Sequence, residues 1–158
     1  MTTRLDGTLF GPGNRCFACG PQHPSGLHLD FRVDGDAVLT DFMPEEAHQG
    51  APQVMHGGLV TTVADELAGW ALIALRERFG FTGTMNSRFS LPVRIGKLVR
   101  GRATIVRENR RVMHVDVRLH QEDKECFSSE MMFVILDQAG AEKMISGPLP
   151  DAWRKFFR

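Results

Sequence analysis

The residues best placed to do chemistry lie in one short stretch. His56-Gly57-Gly58 opens a long apolar segment, and Asp65 and Glu66 sit inside it. Glycine in a helix costs about 1 kcal/mol relative to alanine. A carboxylate is costly to bury. A sequence that accepts both in its most hydrophobic helical stretch has a use for them. The first N–H groups of a helix have no intrahelical partner and carry the positive end of its dipole. Glycines at that point let an incoming group approach the backbone closely.

The second cluster is Cys16 and Cys19, with His23 and His28 nearby. Two cysteines and two histidines could make a four-ligand zinc site. However, the histidine spacing is unusual, and His28 falls within an alternating, strand-like run. The cysteines are therefore expected to be small apolar packing residues of an N-terminal loop, with no metal ligands. Cys126 is expected in a strand, without chemistry. Three cysteines in all is an odd count, against a disulfide framework.

The elements that must position these residues follow from periodicity. Residues 1–26 are rich in turn formers and read as an irregular N-terminal segment. Leu27 to Val33 alternates as a strand, Asp34-Gly35-Asp36 turns it, and Ala37 to Phe42 returns. Pro44 ends that strand, and Glu45 to Met55 is loop. A helix spans 57–79, apolar on most sides and therefore buried, with Gly80 as its C-cap. Four strands follow at 82–92, 98–107, 111–121 and 125–136, joined by short turns that imply antiparallel neighbours. A tail at 141–158 holds a linker at 146–150 and a short terminal helix at 151–157. The expected fold class is α+β: an antiparallel sheet of five to six strands curled around one long helix, with 27–140 as the domain proper.

Composition sets limits. The 158 residues carry no formal net charge and are 42% hydrophobic. That fits one ordinary domain without a basic face for nucleic acid. No run of about 18 apolar residues is present, so no membrane span is expected. The N-terminal residues from Met1 to Gly7 form no apolar signal region. A reducing cytoplasmic setting is the default for such a chain.

With these residues in view, the sequence resembles the hotdog fold. Within it, the resemblance is to acyl-CoA thioesterases related to the phenylacetate-pathway (PaaI-like) and 4-hydroxybenzoyl-CoA enzymes. It rests on His56-Gly57-Gly58 with Asp65 nine positions after the histidine. Cys16-Phe17-Ala18-Cys19-Gly20 followed by Pro24-Ser25-Gly26-Leu27, and Arg88-Phe89-Ser90-Leu91-Pro92-Val93, add to it. It covers roughly residues 16–136. It implies that Gly57 donates a hydrogen bond to the thioester carbonyl, with Gly58 assisting. Asp65 would be general base or direct nucleophile, and the two routes stay open. Glu66 competes for that post, but the family register favours Asp65. The resemblance gives His56 a largely structural place at the helix start. Gln49 becomes a candidate to bind the carbonyl or orient water, and Thr84 a candidate to position water. Gly69 would leave room for the acyl group. Arg88, Arg94, Lys97, Arg110 and Arg111 are candidates to meet the phosphates of CoA. No cofactor is expected, CoA being part of the substrate.

Gly57 and Asp65 are eight residues apart, about 12 Å along one helix axis. One carbonyl cannot touch both, so they must serve a site from different subunits. The resemblance implies the same arrangement, a homodimer or a dimer of dimers (a homotetramer). The alternative function is a non-catalytic module that binds acyl-CoA or acyl-carrier protein. A hotdog dehydratase is disfavoured because no histidine follows Asp65 in the helix.

Overall fold

The long helix α1, Gly57–Arg76, is the axis of the molecule. The computed structural model describes residues 4–157; Met1–Thr3 and Arg158, the outermost residues of the two terminal segments, lie outside the described residues. Val60, Val63, Ala64, Leu67, Ala68, Trp70, Ala71, Leu72 and Ile73 are buried along α1, and the sheet wraps them. Trp70 stacks on Phe31 at 4.9 Å between centroids and meets the edge of Phe10 at 5.6 Å. The helix is long and apolar enough by composition to cross a membrane, but those faces are taken by the strands.

The strands are β1 (Arg4–Leu5), β2 (Phe31–Asp34), β3 (Ala37–Phe42), β4 (Gly80–Phe89), β5 (Val99–Glu108), β6 (Val112–Gln121) and β7 (Lys124–Ile135). They form one antiparallel sheet in the order β1-β2-β3-β5-β6-β7-β4. The α+β hotdog architecture is therefore as expected, with seven strands among the described residues rather than five or six. The added strand, β1, comes from the segment expected to be irregular. The strand after it is shorter than expected. His28 takes a left-handed φ of 52°, which breaks the run that began at Leu27, and pairing starts only at Phe31.

The helix also ends earlier than expected. Glu77, in the left-handed region, caps it by donating to the carbonyls of Ile73 and Leu72, and Gly80 is the first residue of β4 rather than a cap. A second helix, α2 (Gln138–Ile145), occupies what was expected to be a chain turn and tail. Asp137 caps it by accepting from the Gly140 N–H at 2.7 Å. The last turns, Asp151–Phe157, are 3-10 helix. The turn between β4 and β5 is held by the buried Gln121 side chain. It accepts from the Arg94 N–H at 2.8 Å and donates to the carbonyls of Arg94 and Lys97 at 2.9 and 2.8 Å.

Candidate active site

His56 caps α1. Its Nδ1 accepts from the Gly58 N–H at 3.0 Å, and its carbonyl takes the first helical bonds from Leu59 and Val60. This cap corrects one expectation. The Gly58 amide is already engaged, so Gly58 cannot share a substrate carbonyl with Gly57. The Gly57 N–H donates no hydrogen bond among the described residues, and Gly57 is exposed. A single free amide thus stands at the positive end of the helix.

The loop before α1 folds back on itself. Gln49 bridges Met55, and the His56 N–H donates to the His48 carbonyl at 2.8 Å. Gln49 lies beside the helix start. Its side-chain oxygen accepts from the Gln53 N–H at 2.9 Å, and its amide nitrogen donates no hydrogen bond among the described residues.

Strand β4 lies along α1 and forms the open edge of the sheet. The Phe89 ring is the nearest group to the space beside Gly57, and Thr82 donates its hydroxyl hydrogen to Asp65 Oδ1. The strand therefore runs antiparallel to the helix. A β-bulge between Thr82 and Thr84 sets which residues face it. Thr82 pairs with buried Phe133, Met85 with Met131 and Phe89 with Phe127, so all three face inward, while Thr84 pairs with Met132 on the outer face. Thr84 was the expected water-positioning residue; it faces away, next to inward Met85, and the bulge puts Thr82 against the acid. Strict alternation back from Met85 would not reveal this, since it sends Thr82 outward too.

Asp65 lines a cavity of about 320 Å³. Its walls are largely aromatic: Phe10, Trp70, Phe79, Phe133 and Trp153. Gly69 opens onto the same space, where its nearest neighbour is the Phe133 ring at 4.0 Å. Phe10 and Trp153 come from the two terminal segments and are joined by a hydrogen bond from Trp153 Nε1 to the Phe10 carbonyl at 3.2 Å. Neither was expected at the site, because each lies outside the stretch that carries the resemblance. Gly57, Gly58, His56 and Gln49 do not line this cavity.

Glu66 faces the cavity too, but differs from its neighbour in its partners. Its Oε1 accepts from the Trp70 indole N–H at 3.1 Å and from the Cys16 thiol at 3.5 Å. Burial pushes its carboxyl up to about 7. Asp65 is left with Thr82 alone.

The five basic residues expected to meet CoA are scattered. Arg88 lies on the outer face of β4 beside Asp116, Arg118 and Glu130, and Lys97 is paired with Glu122 at 3.0 Å. The Arg94 backbone belongs to the Gln121 turn. Arg110 and Arg111 do come together, and with Arg78, which was not foreseen, line an open hollow of about 630 Å³. Phe157 forms part of that hollow and packs on Phe79 at 5.6 Å, so one aromatic wall separates it from the Asp65 cavity.

The thioesterase superfamily model matches residues 52–127. No curated protein matches the sequence. Among solved structures, a thioesterase superfamily protein has a TM-score of 0.70 at 18% identity, covering 82% of this chain and 66% of its own. The Escherichia coli PaaI protein, from the phenylacetic acid degradation operon, has a TM-score of 0.65 at 14% identity, covering 70% of this chain and 80% of its own. A hypothetical thioesterase from Streptococcus pneumoniae, solved with coenzyme A, has a TM-score of 0.61 at 15% identity, covering 63% and 81%. At such identities the structures speak for the fold. The family match speaks for the segment that carries the helix start, Asp65 and Thr82. Residues 52–127 are thus similar to the thioesterase superfamily, and the fold is that of the hotdog thioesterases.

Proposed function

We propose that this chain is an acyl-CoA thioesterase, hydrolysing an acyl- or aryl-CoA to the free acid and CoA. The observation that carries the reading is Asp65. It lines an apolar cavity with a hydroxyl partner, on a helix whose start offers one free amide. The Gly57 N–H polarises the thioester carbonyl and holds the oxyanion as it forms. Asp65 either takes a proton from water as it attacks or attacks the carbonyl carbon itself. The aromatic walls hold the acyl group. Arg78, Arg110 and Arg111, across the Phe79–Phe157 wall, meet the phosphates. The Streptococcus pneumoniae relative solved with coenzyme A supports the choice of thioester.

Two copies complete the site. The exposed edge of β4 carries Phe81, Met85 and Phe89. An unpaired apolar edge strand is a template for another strand. A two-fold axis through the middle of β4 sets the Phe89 end of one copy beside the Phe81–Thr82 end of the other. Gly57, which neighbours Phe89, then approaches the other copy's Asp65, which neighbours Thr82. The homodimer, alone or doubled into a tetramer, thereby resolves the separation of Gly57 and Asp65. Three free cysteines suit a reducing compartment, and the cytoplasm is the proposed setting. The protein needs no cofactor for this reaction.

The test is release of free thiol from a panel of aliphatic and aromatic acyl-CoAs. Wild-type protein is expected to turn over at least one class, and Asp65→Asn to lose at least about a hundredfold of that rate. Wild-type rates no higher than the variant's across the panel would sink the enzyme reading and leave a binding module.

A further inference from the structure

The cavity wall holds a second set of reactive groups that thioester hydrolysis does not use. One sulfur each from Cys16 and Cys19 and one oxygen from Glu66 lie within 4.8 Å of one another. They come from two elements: the cysteines from the N-terminal loop, the carboxylate from α1.

The loop is built around the first sulfur. Cys16 Sγ accepts from the Cys19 N–H at 3.3 Å. Asn14 Oδ1 accepts from the Cys16 N–H at 3.2 Å, and Asn14 Nδ2 donates to the Gly7 carbonyl at 2.9 Å. The Gly20 N–H closes the turn on the Cys16 carbonyl at 2.9 Å, so close that a Cβ at position 20 would fall 2.6 Å from that oxygen. The sequence Cys16-Phe17-Ala18-Cys19-Gly20 is thus a tight turn with backbone donors aimed at sulfur. Such donors favour a thiolate over a thiol.

Charge is missing from this cluster. Glu66 is desolvated, yet no lysine, arginine or histidine pairs with it among the described residues. A desolvated carboxyl beside two thiols offers three ligand atoms and no positive partner. The histidines considered from sequence do not supply one. His23 Nδ1 accepts from the Ser25 N–H at 3.2 Å and its ring packs on Phe17, while His28 Nε2 contacts the His23 carbonyl.

We propose that Cys16, Cys19 and Glu66 bind one divalent cation of the thiolate-preferring kind, zinc by ligand type, which ties the N-terminal loop to α1. Two sulfurs and one carboxylate oxygen fill three positions of a tetrahedron. All three residues line the Asp65 cavity, so the fourth position opens toward it. Binding forms two metal–sulfur bonds and one metal–oxygen bond, displaces water from the hydrated ion, and releases to solvent the protons that the two thiols and the Glu66 carboxyl carry; nothing is oxidised or reduced. The cysteines expected only to pack thereby acquire a role, and Glu66, rather than a histidine, is the third ligand. The inference does not depend on thioesterase activity.

The experiment uses the full chain, purified reduced and loaded with cobalt(II) under anaerobic conditions. Wild type is expected to bind about one ion per chain, with the thiolate-to-cobalt charge-transfer band of a tetrahedral sulfur site. Zinc should displace it. The band should vanish in Cys16→Ser and Cys19→Ser and persist in Cys126→Ser, whose thiol donates to the Leu119 carbonyl elsewhere. Glu66→Gln should weaken binding by about tenfold or more. The titration of wild type needs no variant to fold. Absence of the band in folded protein with all three thiols titratable would overturn the proposal, and so would a band that survives loss of both Cys16 and Cys19.

Discussion

Replacing Gly57 by proline separates the amide from everything else at the helix start. Position 57 is the first residue of α1, where proline is well tolerated because its missing N–H would be unpaired anyway and its fixed φ suits the helix. His56, the preceding residue, has a ψ of 129°, within the range that a following proline allows. A Cβ at position 57 meets only the Phe89 ring, at 3.6 Å, an ordinary contact. Stability should therefore hold, or rise by about 0.4–1 kcal/mol from a stiffer unfolded chain. Activity should not hold. The neighbouring amide of Gly58 is committed to His56 and cannot substitute, so the full loss of one oxyanion donor is expected: about 2.7–4 kcal/mol, or 10²–10³ in kcat. Gly57→Ala keeps the N–H and adds the same Cβ, so its loss should stay within about tenfold. Acyl-CoA turnover with a thermal melt of each variant is the assay. A proline variant that melts like wild type and keeps its rate within about threefold would refute the donor role of Gly57. A second readout tests the shared site. Gly57→Pro and Asp65→Asn, unfolded together and refolded, should recover about a quarter of wild-type activity, because half of randomly paired dimers are mixed and each mixed dimer has one intact site. No recovery would place the whole site in one subunit.

Thr82→Val should lower kcat by about tenfold by removing the hydroxyl that donates to Asp65, whereas Thr84→Val, on the outer face, should change it by less than about twofold. Arg110→Ala with Arg111→Ala should raise KM for an acyl-CoA by about tenfold or more and leave kcat and the KM of the matching acyl-pantetheine, which lacks the nucleotide phosphates, unchanged. Gly101→Ala should destabilise the fold by about 1–3 kcal/mol, read as a lower midpoint in urea, since its Cβ would sit 2.7 Å from Leu67 Cδ2 and 3.0 Å from Leu119 Cδ2 and Thr40 Cγ2.

Much of this molecule was legible because its signals are local. The apolar run from Leu59, the hairpin at Gly35 and the alternation of β5, β6 and β7 each declare an element within a few residues. The boundaries that failed were set by left-handed residues that composition does not mark: His28 cutting a strand short and Glu77, not Gly80, ending the helix. The helix start and the acid could be named from sequence, but their partners could not. Which threonine touches Asp65 depends on one extra residue in β4. That Glu66 belongs with Cys16, 50 residues away, and with Cys19 depends on how the N-terminal loop lies over α1. The charge cluster was half visible: Arg110 and Arg111 are adjacent in sequence, whereas Arg78 joins them only through the sheet.

The clasp between Phe10 and Trp153 joins residues 143 positions apart. Closing so long a loop is slow and entropically costly, so this contact forms late, after the sheet has wrapped α1. During synthesis, Phe10 emerges early and must wait for Trp153, the last large side chain of the cavity to be made. This wall of the cavity is thus finished after the rest of the domain can already fold. The same clasp is the first candidate to open in the native protein, since two short 3-10 segments hold it rather than the sheet. Parting of the Phe10 and Trp153 segments would open this wall of the cavity while α1 and its strands stay still.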